Sequence, residues 1–121
     1  KHMKRLVNGI GGIFFRANDS KALSKWYEEH FGISDSQSAE PWRQDEGPTV
    51  VAPFKKETTY FGNMNQQFMI NFRVSDMDAL LLKLEKAGVK IDKERMDESY
   101  GKFAWVYDPE GNKIELWEPK D

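Results

Sequence analysis

Two stretches of the chain combine an alternating apolar run with a helical pattern. The first begins with the run IFFR at residues 13–16, which is typical of a strand. The apolar positions that follow at helical spacing are Leu23, Trp26, Tyr27 and Phe31. This pattern predicts a helix near residues 20–31, with Asp19 or Ser20 as its N-cap and Gly32 at its C-terminal end.

The second stretch repeats the first. INFRVSDMDAL at 70–80 lies 57 positions after IFFRANDSKAL at 13–23, and six of the eleven residues are identical. Its apolar helical positions are Leu80, Leu81, Leu84 and Ala87. We therefore predict a duplicated unit whose second helix lies near residues 77–87, begins at the N-cap Asp76 and ends at Gly88.

Each copy ends in residues typical of a hairpin with a glycine turn. The two segments are DEGPTVVAPF at 45–54 and DPEGNKIELWEP at 108–119. The polar residues 55–67 are interpreted as a linker between the copies, and 92–102 as a surface loop. We expect a single domain over 3–121, made of modules 6–54 and 68–119.

Composition excludes several classes of protein. The 121 residues include 39% hydrophobic and 13% aromatic side chains, which suffices for a core and argues against disorder. Eighteen basic and twenty acidic residues give a net charge of −2 without a basic run, so nucleic acid is not expected as a partner.

The sequence also favours a cytoplasmic, bacterial type of protein. It has no apolar stretch of about 18 residues that would cross a membrane, and no signal peptide is evident. It contains no cysteine, hence no disulfide framework or thiolate chemistry. Lys1 and His2 precede Met3 as a vector remnant would, so His30 is expected to be the one native histidine, and its place near a helix end favours a surface role.

The repeat and the ending DPEGNKIEL together resemble the vicinal-oxygen-chelate superfamily, which includes glyoxalases, bleomycin-resistance proteins and extradiol dioxygenases. The resemblance covers residues 10–119 and implies an α+β fold of two βαβββ modules, the glyoxalase/bleomycin resistance/dihydroxybiphenyl dioxygenase-like fold. Members of this family often pair, and we expect a homodimer.

In that superfamily the two modules curl around a concave cup, and four inward side chains, usually His, Gln or Glu, hold a divalent metal. The resemblance places these positions on Gly12, Val51, Met69 and Glu115. Only Glu115 keeps suitable chemistry, because glycine and valine offer no ligand and a thioether is a soft one. We therefore expect no metal and no other cofactor.

Residues two apart along a strand share a face, which extends the set that lines the cup. The expected ligand-binding residues are Phe14, Arg16, Met69, Asn71, Arg73, Phe103, Trp105 and Trp117. The opposite faces are expected to form the core, through Ile13, Phe15, Ile70, Phe72, Val74, Ile114 and Leu116. Two other interpretations stay open. The tryptophans pack against each other or across a dimer interface, and the arginines form ion pairs with Asp19, Asp76 or Glu115.

Glu115 is the strongest candidate for chemistry. A carboxylate on the floor of an apolar cup needs an arginine, a proton or water, because an unpaired buried charge costs several kcal/mol. It would act either as a catalytic acid or base without metal, or as a hydrogen-bond acceptor for a ligand.

Three functions follow from this cup. The first is a metal-independent protein that binds a small organic molecule between aromatic walls. The second is a lyase, isomerase or dioxygenase that depends on a metal or on Glu115. The third is a structural or regulatory homodimer without a ligand. The fold alone does not choose among them, because function resides in the site.

Overall fold

The computed structural model describes residues 5–34 and 40–120. Within them, two helices and four strands follow one another along the chain. These elements are α1 (Ser20–Phe31), β1 (Ile70–Arg73), α2 (Met77–Lys86), β2 (Lys90–Glu98), β3 (Gly101–Tyr107) and β4 (Lys113–Pro119). The fold is α+β, and the second half of the chain has the predicted order of strand, helix and three strands.

The four strands form one sheet in the order β1-β4-β3-β2. β1 pairs with β4 in parallel, while β4 pairs with β3 and β3 with β2 in antiparallel orientation. The predicted hairpin at 108–119 is confirmed. Its turn is closed by a hydrogen bond from the Asp108 amide to the Asn112 carbonyl (3.1 Å), and Gly111 has the positive φ of 85° that this turn requires.

Both helices begin at the predicted aspartates. Asp19 Oδ1 accepts the Ala22 amide and Asp76 Oδ1 the Ala79 amide, each at 3.1 Å. A glutamate from the C-terminal hairpin adds a second carboxylate to each N-terminus. The Glu110 side chain accepts the Asn18 and Asp19 amides at 2.7 and 2.8 Å, and Glu118 accepts the Met77 amide at 2.8 Å.

Both helices pack on the same face of the sheet. The buried residues of this core are Leu23, Tyr27, Met77, Leu81, Leu84, Ala104, Val106, Ile114 and Leu116. Phe72 and Val74 pack against it, as predicted from strand alternation. Tyr27 also donates a hydrogen bond to Asp108 (2.7 Å), which gives this buried phenol a polar partner. None of the helices in the described part of the chain is long and apolar enough to cross a membrane.

Among its described residues, the first half of the chain contributes α1 but no strand to the sheet. Residues 5–19 and 40–54 contain no strand, so the predicted strand at 13–16 and the predicted hairpin at 45–54 are wrong. The apolar alternation that predicted strands is present in the sequence, but none of the strands that the structure describes pairs with these segments. Ile13 and Phe15 are accordingly exposed rather than core residues, although Phe15 still makes ring contacts with Tyr27 and Phe68.

The predicted surface loop at 92–102 is also wrong, because these residues form most of β2 and the start of β3. β2 is an edge strand rich in charged residues, and its register with β3 shifts between Ile91 and Arg95. This shift breaks the two-residue alternation that would have marked a strand in the sequence.

Candidate functional site

The face of the sheet away from the helices carries two rows of paired side chains. Residues paired across neighbouring strands point to the same side of a sheet. The first row is Asn71, Glu115 and Trp105, and the second is Arg73, Trp117 and Phe103. We call these six residues the open face. The structure thus places six of the nine sequence-predicted site residues side by side.

Glu115 lies in the middle of the first row and is only 9% exposed. One carboxylate oxygen, Oε1, accepts a hydrogen bond from the Asn71 side-chain amide at 2.8 Å. The other, Oε2, accepts one from the Tyr60 hydroxyl at 2.5 Å. Two donors therefore compensate the buried carboxylate, and neither of them is an arginine.

Tyr60 comes from the segment 55–67, which crosses the open face. Its ring stacks on Phe54 (centroids 5.5 Å apart, planes at 15°) and meets Trp105 edge-on at 6.0 Å. Lys113 Nζ donates to the Tyr60 carbonyl at 2.9 Å and lies 5.2 Å from its ring. Burial, and after it the hydrogen bond to Glu115, raises the pKa of Tyr60, so the phenol stays a neutral donor at physiological pH.

Trp105 presents a buried donor without an acceptor. The residue is 4% exposed, and its indole N–H makes no hydrogen bond of normal geometry to any residue that the structure describes. It lies near enough to the Tyr60 oxygen to oppose part of the rise in the pKa of that phenol. A buried donor without a partner is rare in folded proteins.

The second row is an aromatic stack. Phe103 and Trp117 lie parallel, with centroids 6.1 Å apart and planes at 6°, and the Trp117 indole donates to the Tyr100 carbonyl at 3.2 Å. Trp117 contacts Phe103, and Trp105 contacts Tyr60, so the two tryptophans do not pack against each other. Gly101 makes this arrangement possible, because a Cβ there would lie 2.4 Å from Trp117 Nε1.

The remaining predicted residues lie elsewhere or have other partners. Arg73 donates to the Asp45 carbonyl at 3.1 Å, and neither Arg73 nor Arg16 forms an ion pair with a described carboxylate, so the ion-pair interpretation is wrong. Phe14 is 91% exposed and Arg16 is also exposed, and no hydrogen bond or ring contact joins either of them to the open face. Met69 is half-buried just before β1.

The residues around Glu115 do not fit the divalent metal of the resembled superfamily. The groups that contact the Glu115 carboxylate are the Tyr60 phenol and the Asn71 carboxamide, and both act as hydrogen-bond donors. Val51 and Gly12 are exposed and offer no ligand atom. Across residues 5–34 and 40–120, no group of three or more His, Cys, Asp or Glu side chains could hold a metal ion.

Sequence reasoning missed the part that the segment 55–67 plays in the site. Besides Tyr60, Gln66 anchors this segment by exchanging hydrogen bonds with the backbone of Lys113, at 2.9 and 3.0 Å. The aromatic residues Phe54, Tyr60 and Phe61 were the available signal, because a solvated linker rarely carries three rings within eight positions.

Solved structures with the same fold come from several bacteria. TnmS3, an antibiotic binding protein from Streptomyces sp. CB03234, is 22% identical, with a TM-score of 0.63 over 97% of this chain and 100% of the other. A superfamily member from Sphaerobacter thermophilus is 17% identical, with a TM-score of 0.61 over 93% and 98%. TioX from Micromonospora sp. ML1 is 19% identical, with a TM-score of 0.53 over 86% and 93%.

At these identities the structures show a shared fold and no more. No curated protein sequence matches the chain. The family model described as Glyoxalase/Bleomycin resistance protein/Dioxygenase superfamily matches residues 9–116, which is most of the chain. The two helices, the four-stranded sheet and this match agree with the α+β fold and the C-terminal signature expected from the sequence. The chain therefore belongs to the glyoxalase/bleomycin resistance protein/dioxygenase superfamily.

Proposed function

We propose that this protein binds a small organic molecule with an aromatic ring on its open face, without a metal. The observation that carries the proposal is the buried Glu115 carboxylate surrounded by aromatic rings and neutral donors. An apolar surface with a few convergent polar groups is the usual composition of a small-molecule site.

The two rows of the open face would have different tasks. The parallel rings of Phe103 and Trp117 offer a flat apolar surface on which a planar ligand can stack. Glu115 and Asn71 would recognise polar groups at the ligand's edge, since their hydrogen bonds lie in the neighbouring row. The antibiotic binding protein TnmS3 has the same fold, and this likeness favours a binding function for the present chain.

We also propose that the protein works as a homodimer in the bacterial cytoplasm. The exposed apolar residues of the first half include Leu6, Val7, Ile10, Ile13, Phe14, Val50 and Val51. So many exposed apolar side chains in one half of a chain are unusual for a monomer, and a second copy would cover them.

The alternative is a lyase, isomerase or dioxygenase that depends on a metal or on Glu115. The retained Glu115 favours it, because a carboxylate in an apolar site can move a proton during a reaction. The donor set around Glu115 supports only the metal-free form of this alternative.

Binding in the presence of EDTA tests the proposal. Planar aromatic compounds are screened by thermal shift, and the dissociation constant of each hit is measured by calorimetry. We expect binding to survive EDTA and Trp117→Ala to weaken it about tenfold or more, a loss near 1.4 kcal/mol, because the stacking surface is removed. Trp42→Ala is the matched control, since Trp42 contacts Phe72 on the helix side of the sheet.

Elemental analysis of the purified protein completes this test. We expect Zn, Ni, Mn and Fe to be present at far less than one ion per chain. Near one ion per chain, together with loss of binding in EDTA, would establish the metal-dependent alternative. Turnover of a bound compound that Glu115→Gln abolishes without weakening its binding would establish the metal-free enzyme.

A further inference from the structure

The side chain of Tyr60 is surrounded as a bound ligand would be. Its hydroxyl donates to Glu115, one ring face stacks on Phe54, and its edge meets Trp105. The ammonium of Lys113 lies within 5.2 Å of the same ring. Aromatic stacking, an edge contact, a cation and one directional hydrogen bond together recognise a ring that carries a hydroxyl group.

Around Tyr60, the backbone of the segment 55–67 makes few hydrogen bonds with the rest of the protein. Its backbone hydrogen bonds are local, from Thr58 to Lys55 (3.0 Å) and from Gly62 to Thr59 (3.1 Å). No strand of the sheet pairs with it, and the Tyr60 carbonyl is held only by the flexible side chain of Lys113. The part around Tyr60 can therefore move away from Glu115 without breaking the sheet, while Gln66 keeps the end of the segment bound to Lys113.

Tyr60 does not provide a hydrogen-bond acceptor of normal geometry for the indole N–H of Trp105. The buried indole N–H of Trp105 has no acceptor of normal geometry among the described residues, although the Trp105 ring meets the Tyr60 ring edge-on at 6.0 Å. A phenolic oxygen can donate to Glu115 and accept from Trp105 at the same time. A free ligand can adjust its position to do both, whereas Tyr60 is constrained by its backbone.

The charge of the Glu115 carboxylate further restricts which chemical groups the ligand can place beside it. Oε1 of Glu115 is already bound by Asn71, which leaves Oε2 for the ligand. An anionic group here would be repelled by the carboxylate, while a neutral hydroxyl donor would be attracted. The nearest arginine of the open face, Arg73, is turned to the Asp45 carbonyl.

Building on the proposed function, we propose that the ligand is a hydroxylated aromatic compound whose hydroxyl binds Glu115, and that Tyr60 occupies this position until the ligand displaces it. Tyr60 is thus an internal competitor, and it sets a minimum affinity that a ligand must exceed. Removing it raises the apparent affinity by the inverse of the fraction of molecules in which the position is free.

Three small probes distinguish the contribution of the hydroxyl donor to binding from that of the ring. They are p-cresol, 4-methylanisole and toluene. Binding to the full-length chain is measured by calorimetry and by tryptophan fluorescence. If Tyr60 fills its position at least about nine-tenths of the time, Tyr60→Ala should bind p-cresol at least tenfold more tightly than the unmodified chain. The same variant should bind 4-methylanisole and toluene at least tenfold more weakly than p-cresol, because neither donates to Glu115.

Two further variants test whether the effect depends on the Tyr60 hydroxyl and on the Glu115 carboxylate. Tyr60→Phe keeps the ring and should bind p-cresol more tightly than the unmodified chain but less tightly than Tyr60→Ala, because the competitor loses its hydrogen bond. Adding Glu115→Gln to Tyr60→Ala should weaken p-cresol binding until it no longer exceeds toluene binding by tenfold. Circular dichroism establishes that each variant is folded.

Equal binding of p-cresol and toluene by folded Tyr60→Ala would overturn the proposal, as would no binding of p-cresol by Tyr60→Ala and Tyr60→Phe. These outcomes differ from a failure of the proposed function. A planar compound without a hydroxyl that binds in EDTA, depends on Trp117 and ignores Tyr60→Ala would support the aromatic site and refute the hydroxyl-specific one.

Discussion

Tyr27 joins the first helix to the end of β3 through its hydroxyl, which donates to the buried Asp108. We expect Tyr27→Phe to lower the free energy of unfolding by about 1–3 kcal/mol, because a hydrogen bond to a charged acceptor is lost. Urea unfolding at pH 7 measures this loss. Tyr100→Phe is the control, since the Tyr100 side chain is exposed.

The same residue predicts a dependence on pH. Burial and then Asp108 raise the pKa of Tyr27 above its ordinary value of 10.0. The stabilisation is complete below about pH 10 and declines above it, because the unfolded chain ionises there while the folded chain does not. Between about pH 9 and 11, Tyr27→Phe should lose less stability than the unmodified chain. Parallel curves for the two proteins would contradict this assignment.

At the scale of residues, the sequence predicted members of the site only on strands, where alternation determines which face of the sheet a side chain lies on. Strand alternation placed Asn71, Trp105 and Glu115 on one face, and the structure pairs them in one row. Tyr60 was missed because it reaches Glu115 through a tertiary contact 55 positions away. A segment without regular secondary structure has no hydrophobic periodicity from which such a contact could be predicted.

At the level of elements, the aspartate caps give a direct test of why the helices begin where they do. Asp76→Ala should destabilise the protein by about 0.5–2 kcal/mol, because the Ala79 amide loses its acceptor. Asp76→Asn should retain most of the stability, since an asparagine oxygen caps nearly as well. Thermal and urea unfolding measure both variants. An equal loss for the two would show that the charge of Asp76 matters and its cap does not.

Elements with strong local signals were predicted within a residue or so. Both helices carry aspartate caps and apolar periodicity, and the structure has them at 20–31 and 77–86. The glycine turn of the final hairpin lies between β3 and β4 as predicted, but its first strand begins at Gly101, before the predicted hairpin. β2 lacks such signals because the register shift and its charged edge remove them. The segment 45–54 shows the opposite error, since it has a strand-like pattern but pairs with none of the four described strands.

At the level of the whole molecule, the proposed homodimer predicts how association responds to charge. Phe14→Glu should weaken dimerisation at least tenfold in analytical ultracentrifugation, because two buried rings per dimer would be replaced by carboxylates. Leu82→Glu is the matched control, as Leu82 is an exposed apolar residue on α2. A monomeric unmodified chain at micromolar concentration, or equal weakening by both variants, would contradict the proposed interface.

The carboxylate of Glu110 that holds the start of α1 also governs the order in which the protein can form during synthesis. Asn18 leaves the ribosome 92 positions before its partner Glu110. At about 5–20 residues per second, this interval lasts roughly 5–20 s. Throughout it, Leu23 and Tyr27 lack the strands that later bury them. The amino-terminal half therefore cannot be completed before the carboxyl-terminal hairpin has been synthesised, and during this interval nascent chains on one polysome expose the same apolar segments to each other.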